Sequence, residues 1–120
     1  MKPKIDKTIF GLIVIGGQKY DYDVIIHLNG VVEKRKKKLS KEIFGTSHII
    51  SIQEAKYVYE KGVSLLVVGG GQDGMVKLSD EAAEFFRKKD CQVDLSPTPQ
   101  ALAVWNKAEG KAIGLFHVTC

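Results

Sequence analysis

Residues 63–74 read VSLLVVGGGQDG, and this stretch constrains the fold more than any other. From Val63 to Val68 the chain is apolar apart from Ser64 and rich in Val and Leu, and it then meets three consecutive glycines. A short apolar, β-branched run bounded by glycine predicts a strand buried on both faces, the kind found at the centre of a parallel sheet. Sheets of that kind carry their sites in the loops at the C-terminal ends of the strands. The glycine loop is therefore the first place to look for function.

Upstream, Thr8–Ile15 (TIFGLIVI) is apolar and β-branched enough for one strand, with Gly11 as a bulge or close-packing point. Gly16-Gly17 breaks it. Tyr20–Leu28 begins in alternation, with Tyr20, Tyr22 and Val24 on one side and Asp21 and Asp23 on the other. Asn29-Gly30 is a strong hairpin signal because both residues tolerate positive φ, and Val31–Arg35 is the returning strand. The N-terminal third thus predicts an antiparallel β-meander.

The rest alternates helix and strand. Ser51 with Glu54 forms a capping box, in which each side chain reaches the other residue's amide. The helix it opens runs to about Lys61, with Gly62 as its terminating C′ glycine. After the buried strand, Met75–Leu78 is a short extended piece. Ser79 caps a second helix, with Asp80 and Glu81 in its first turn and Arg87-Lys88-Lys89 at its end, as the helix dipole favours. Cys91–Leu95 is a strand. Thr98 as N-cap and Pro99 at the first helical position open a third helix that ends before Gly110, and Ala112–Val118 is the last strand. From Ser51 onward the order is α-β-α-β-α-β, the mark of a sheet with crossover helices.

One hundred and twenty residues make one domain with one core, residues 1–120. Hydrophobic content of 44% and charged content of 27% are those of an ordinary globular chain. No apolar run approaches the roughly 20 residues that span a bilayer, and no apolar signal-peptide core follows the charged N-terminus. The expectation is a cytoplasmic protein without membrane partners. The net charge of +4 is concentrated in Lys34–Lys38 and Lys41, read as a solvated strand end and loop. That run has no interleaved aromatic residue to stack a base, so specific nucleic-acid binding is not expected.

The chemistry-bearing patterns are few. Gly69-Gly70-Gly71-Gln72-Asp73-Gly74 matches GxGxxG, and Asp94 falls near the place of a ribose-binding acid. Met75-Val76-Lys77-Leu78, however, separates the last glycine from the helix cap at Ser79, whereas a dinucleotide site needs the helix N-terminus at the glycines. His27, His48, His117, Cys91 and Cys120 lack metal-ligand spacing, and no nucleophile, base and oxyanion set stands out. Asn106 is polar on an apolar helical stretch beside Trp105, which suggests a specific hydrogen bond.

Taken together, EKGVSLLVVGGGQDGMVKLS, SPTPQALAVWN and the terminal GLFHVTC resemble the adipogenesis-associated Mth-type domain proteins. That group is related to the mitochondrial complex I assembly factor of the same fold. The most specific parts are the terminal F-H-x-T-C and the T-x-x-A-x-x-x-x-N spacing from Thr98 through Ala101 to Asn106. The resemblance implies a three-layer α/β fold with a mixed central sheet, crossover helices and the meander as an extra β layer. It implies no reaction, metal or cofactor. The functional expectation is a noncatalytic binding or assembly-type domain, whose partner is a protein or a small polar or anionic ligand. A small polar pocket is expected beside Gly69, Gly70, Gly71, Gln72, Thr98, Asn106 and His117, with an enzyme or nucleotide binder using the Gly69–Gly74 loop as the alternative.

Overall fold

The computed structural model describes residues 2–120. In chain order the N-terminal elements are β1 (Ile5–Ile9), β2 (Leu12–Ile15), β3 (Gln18–Tyr20), β4 (Val24–Ile26), β5 (Val32–Lys34), α1 (Lys38–Phe44) and β6 (Ile49–Ile50). They are followed by α2 (Ile52–Val58), β7 (Leu65–Gly70), β8 (Lys77–Leu78), α3 (Asp80–Lys88), β9 (Gln92–Ser96), α4 (Thr98–Lys107) and β10 (Ala112–His117).

The stretch expected to be one strand, Thr8–Ile15, is a hairpin. Ile9 pairs with Leu12 across a turn at Phe10-Gly11, where Gly11 has φ +82°. That left-handed conformation, open to glycine at little cost, turns the chain back instead of bulging it. β3 completes a three-stranded antiparallel sheet in the order β1-β2-β3. The chain then bends at Asp21-Tyr22, and β4 leaves this sheet to join another. The N-terminal meander is therefore divided between two sheets, although Asn29-Gly30 does form the β4–β5 turn, with Gly30 at φ +88°.

The central sheet has the order β5-β4-β10-β7-β9. β10 runs antiparallel to β4 and parallel to β7, and β7 is parallel to β9. The sheet is mixed, as expected, and β7 is interior, but the middle position belongs to β10. Alternation along the strands divides the one core expected into two apolar clusters, one on each face of the sheet. Ile25, Leu66, Val68, Ile113 and Leu115 face one side, where Val58 of α2 and Phe86 of α3 cover them. Val24, Ile26, Val67, Ala112 and Phe116 face the other, against Ile5, Ile13 and Ile15 of the small sheet and Ala101 and Trp105 of α4. Helices, central sheet, and small sheet with α4 make the three layers.

Local rules explain most helix ends. Ser51 accepts a hydrogen bond from the Glu54 amide, and Ser79 from the Ala82 amide. α2 stops at Val58, short of Lys61: Tyr59 is extended, and Gly62 (φ +90°) lies in the turn beyond instead of closing the helix. The basic run is only partly a loop. From Lys38 it continues as α1, closed by Gly45, whose amide donates to the Lys41 carbonyl at 2.8 Å. Among the described residues no helix is long and apolar enough to cross a membrane.

Candidate functional site

The glycine loop is closed from within the protein. Gly69 and Gly70 are the last residues of β7, opposite Phe116 and His117 of β10. A Cβ on Gly69 would lie 2.8 Å from Thr98 Oγ1, and one on Gly71 would lie 2.3 Å from the Cys120 carbonyl carbon. These glycines permit close approach by the N-terminus of α4 and by the segment after β10. The Gly71 amide donates to Thr98 Oγ1 at 2.9 Å and the Gln72 amide to the Thr119 carbonyl at 2.7 Å. Gly74, Met75 and Val76 donate to the carbonyls of Gly71, Cys120 and Gly70.

Thr98 is not the N-cap of α4. Pro97 holds that position without a side-chain cap, and the Thr98 hydroxyl instead donates to the His117 carbonyl at 2.6 Å. It thereby bolts β7, α4 and β10 together. Gln72 reaches Thr8 Oγ1 through its side-chain amide at 3.1 Å. Asn106 makes the specific bonds its position suggested, donating to the Ile5 carbonyl (2.8 Å) and accepting from the Ile5 amide (2.9 Å). Gly69, Gly70, Gly71, Gln72, Thr98 and His117 are thus gathered around the segment after β10. Asn106 lies more than two helical turns along α4 from Thr98, against β1.

His117 leads to a cluster that sequence reasoning missed. Its Nδ1 lies 2.6 Å from Asp23 Oδ2, just before β4, and Asp23 Oδ1 accepts from the Val118 amide at 2.9 Å. Arg35 Nη1 donates to Asp23 Oδ2 at 3.0 Å, while its Nε and Nη2 grip Glu54 at 2.6 and 3.0 Å. The second Glu54 partner is Ser40 Oγ at 2.5 Å, and Ser40 Oγ also accepts from the Ser51 amide at 2.9 Å. The expected capping box is therefore half made: Ser51 caps Glu54, but the Glu54 carboxylate serves Arg35 and Ser40 instead of the Ser51 amide. Asp23, Arg35, Glu54 and His117 are each no more than 4% exposed.

Charge balance makes this burial tolerable. Burial alone would raise the Asp23 pKa, but the hydrogen bonds from His117 and Val118 and the charges of His117 and Arg35 outweigh it and hold the carboxyl at about 2. Burial likewise disfavours the Arg35 cation, and the Glu54 carboxylate more than compensates, raising its pKa. An ionised Asp23 can only accept, so the His117 imidazole donates to it from Nδ1. The Thr119 hydroxyl lies 3.1 Å from His117 Nε2.

Asp23 and Arg35 of this cluster form the floor of a pocket of about 330 Å³ whose walls include Tyr22, Lys34, Lys37 and Thr119. Lys37 Nζ stands 3.7 Å from Asp23 Oδ2, and Lys34 Nζ lies 5.2 Å from the Tyr22 ring centroid. A cavity of similar size between α3 and β9 is lined mainly by apolar side chains, among them Leu78, Phe86 and Val93. Two sequence signals pointed faintly to the polar pocket. Asp23 abuts the apolar strand Val24–Ile26, and Arg35 is the one member of its basic run whose fork can hold carboxylates bidentately.

Comparison with solved structures agrees with this architecture. The conserved hypothetical protein PH1505 from Pyrococcus horikoshii OT3 is 33% identical, with a TM-score of 0.91 over 98% of this chain and 99% of that one. The protein MT938 is 25% identical, with a TM-score of 0.83 over 99% of this chain and 100% of its own. A Mth938-like domain protein from Bordetella pertussis shares the fold at 16% identity and a TM-score of 0.67, covering 97% of this chain and 85% of that one. Residues 5–116 match the family described as "Protein of unknown function (DUF498/DUF598)", and the chain belongs to that family.

Proposed function

We propose that the protein is a binding or assembly-type domain whose ligand, small and polar or anionic, enters the pocket between the β4–β5 hairpin and the segment after β10. The carrying observation is the pocket's construction. Its floor is ionic yet internally hydrogen-bonded, hence rigid, while Lys34, Lys37 and Thr119 reach the opening. A preorganised polar floor under a concave opening is how small-ligand sites gain specificity. The expected site moves with this reading: His117 stays, but the ligand sits beside Asp23 and not over the glycine loop. Use of the Gly69–Gly74 loop for nucleotides has less support, because the Gly71, Gln72 and Gly74 amides already bond within the protein.

Kinship with the adipogenesis-associated branch and its complex I assembly relative is part of the same proposal, as are a single-domain, cytoplasmic protein and the absence of specific nucleic-acid binding. Thermal-shift titration against small carboxylates, phosphates and zwitterions tests the pocket. Stabilisation that disappears in the Lys34→Ala/Lys37→Ala double variant supports it. Stabilisation that survives in that variant but disappears in Gly70→Val returns the site to the glycine loop.

A further inference from the structure

The pocket wall contains one group that simple binding does not require. Thr119 Oγ1 sits 3.1 Å from His117 Nε2, and His117 Nδ1 sits 2.6 Å from Asp23 Oδ2. A hydroxyl, an imidazole and a carboxylate in that order are what nucleophilic acyl transfer needs: a weak nucleophile, a base beside it, and a third group that orients the base. The orienting group is itself fixed. Asp23 Oδ1 is held by the Val118 amide and Oδ2 by Arg35, so the carboxylate cannot swing away from the imidazole. Asp23 Oδ2 also meets Arg35 Nη1 at 3.0 Å and Lys37 Nζ at 3.7 Å, but His117 Nδ1 is its nearest partner, at 2.6 Å, so the carboxylate can stabilise an imidazolium. Thr119 is half-buried and borders the open pocket, while His117 is only 3% exposed and meets that pocket through Thr119.

We propose that Asp23, His117 and Thr119 form an acyl-transfer relay in which Thr119 Oγ is the nucleophile toward small carboxylic esters bearing an anionic group. Thr119 Oγ bonds to the ester carbonyl carbon as its proton passes to His117 Nε2. The oxyanion forms in the pocket that Lys37 lines, where a positive charge favours it. Collapse breaks the carbon–alkoxy bond, and the leaving alcohol takes the proton from His117. Water then attacks the acyl-Thr119 ester, giving its proton to His117, which returns it to Thr119 Oγ as the acid departs. The net reaction is ester plus water to acid plus alcohol. The anionic group of the substrate meets Lys34 and Lys37, so this inference rests on the pocket reading for substrate choice.

The nucleophile can be tested apart from the ligand. The full chain is treated with a small alkyl fluorophosphonate, in which the Thr119 Oγ–P bond forms, P–F breaks, fluoride leaves and the proton goes to His117. Intact-mass and peptide mapping are expected to find one adduct, on Thr119. The labelling rate should fall at least about a hundredfold in Thr119→Val and in His117→Gln, and persist in Thr119→Ser. Thr119→Val changes a half-buried side chain at nearly constant shape, so it keeps the test meaningful even if His117→Gln does not fold. No adduct on Thr119 in protein with a normal melting profile overturns the relay, as does labelling that is unchanged in a folded His117→Gln. Ligand stabilisation that survives unchanged in the Lys34→Ala/Lys37→Ala variant, with Thr119 labelling intact, removes the anionic-ligand reading and leaves the nucleophile standing.

Discussion

Arg35 grips Glu54 through two parallel hydrogen bonds, Nε to Oε2 at 2.6 Å and Nη2 to Oε1 at 3.0 Å, and so ties the chain leaving β5 to the first turn of α2. Both side chains are shut away from water. Glu54→Leu takes away the bidentate partner of the buried Arg35 cation, leaving it the single carboxylate contact with Asp23, and is expected to cost about 3–5 kcal/mol in urea unfolding. The double variant Arg35→Met/Glu54→Leu should regain much of that loss, because the cost lies in a buried cation left with too few acceptors. A single variant within about 1 kcal/mol of the parent would mean that the guanidinium finds solvent or another partner.

Acid should weaken the fold through Asp23. Its folded pKa of about 2 lies below the ordinary 3.8. The stabilisation it brings is therefore complete above about pH 4 and is lost as pH falls toward 2, roughly 2 kcal/mol in all. Glu33, held low by its hydrogen bonds from Tyr57 and His27, acts in the same direction. Urea midpoints from pH 6 to 2 should fall, and Asp23→Asn should fall less steeply from a lower start. Parallel profiles would remove Asp23 as the titrating group.

Two glycines with similar backbone angles should respond differently to alanine. Gly11 has φ +82° with nothing within 4 Å of an added Cβ, so Gly11→Ala should cost about 1–2 kcal/mol. Gly71 has φ +99° and would place its Cβ 2.3 Å from Cys120 backbone, so Gly71→Ala should cost about 3 kcal/mol or more and loosen the C-terminal segment. Hydrogen exchange at the Gln72 and Met75 amides, which bond to that segment, reports the loosening. Equal costs for the two variants would mean that the segment can shift aside.

Thr98 bridges the Gly71 amide and the His117 carbonyl. Thr98→Val should leave both unpaired in the interior, for a loss of about 2–4 kcal/mol, while Thr98→Ser should lose well under half of that. If serine and valine proved equally costly, packing of the methyl would outweigh the hydroxyl.

The parts legible in the sequence were those governed by neighbours in the chain. β7 announced itself by an apolar run against glycines, and α3 by its Ser79 cap and graded charges. α1 escaped because Lys37 at its start makes no side-chain cap and its first turn has no acid. Thr98 misled because it stands before a proline, yet its tertiary partners outcompete the local cap. The Asp23–His117 pair joins residues 94 apart in sequence, so only the placement of β4 beside β10 could bring it into view.

The middle strand of the central sheet, β10, follows all the other strands in the chain, and it joins the antiparallel half on β4 to the parallel half on β7. During synthesis the two halves therefore wait as separate edges until residues 112–117 clear the ribosome. Until then β4 and β7 each present an unpaired apolar rim, a template for association between nascent chains. The decisive step of folding waits for β10 and is slow for the size of the sheet, since it pairs residues as distant in sequence as Ile26 and Gly114. Chaperone dependence should thus track the delay before β10 arrives, not the final stability of the sheet.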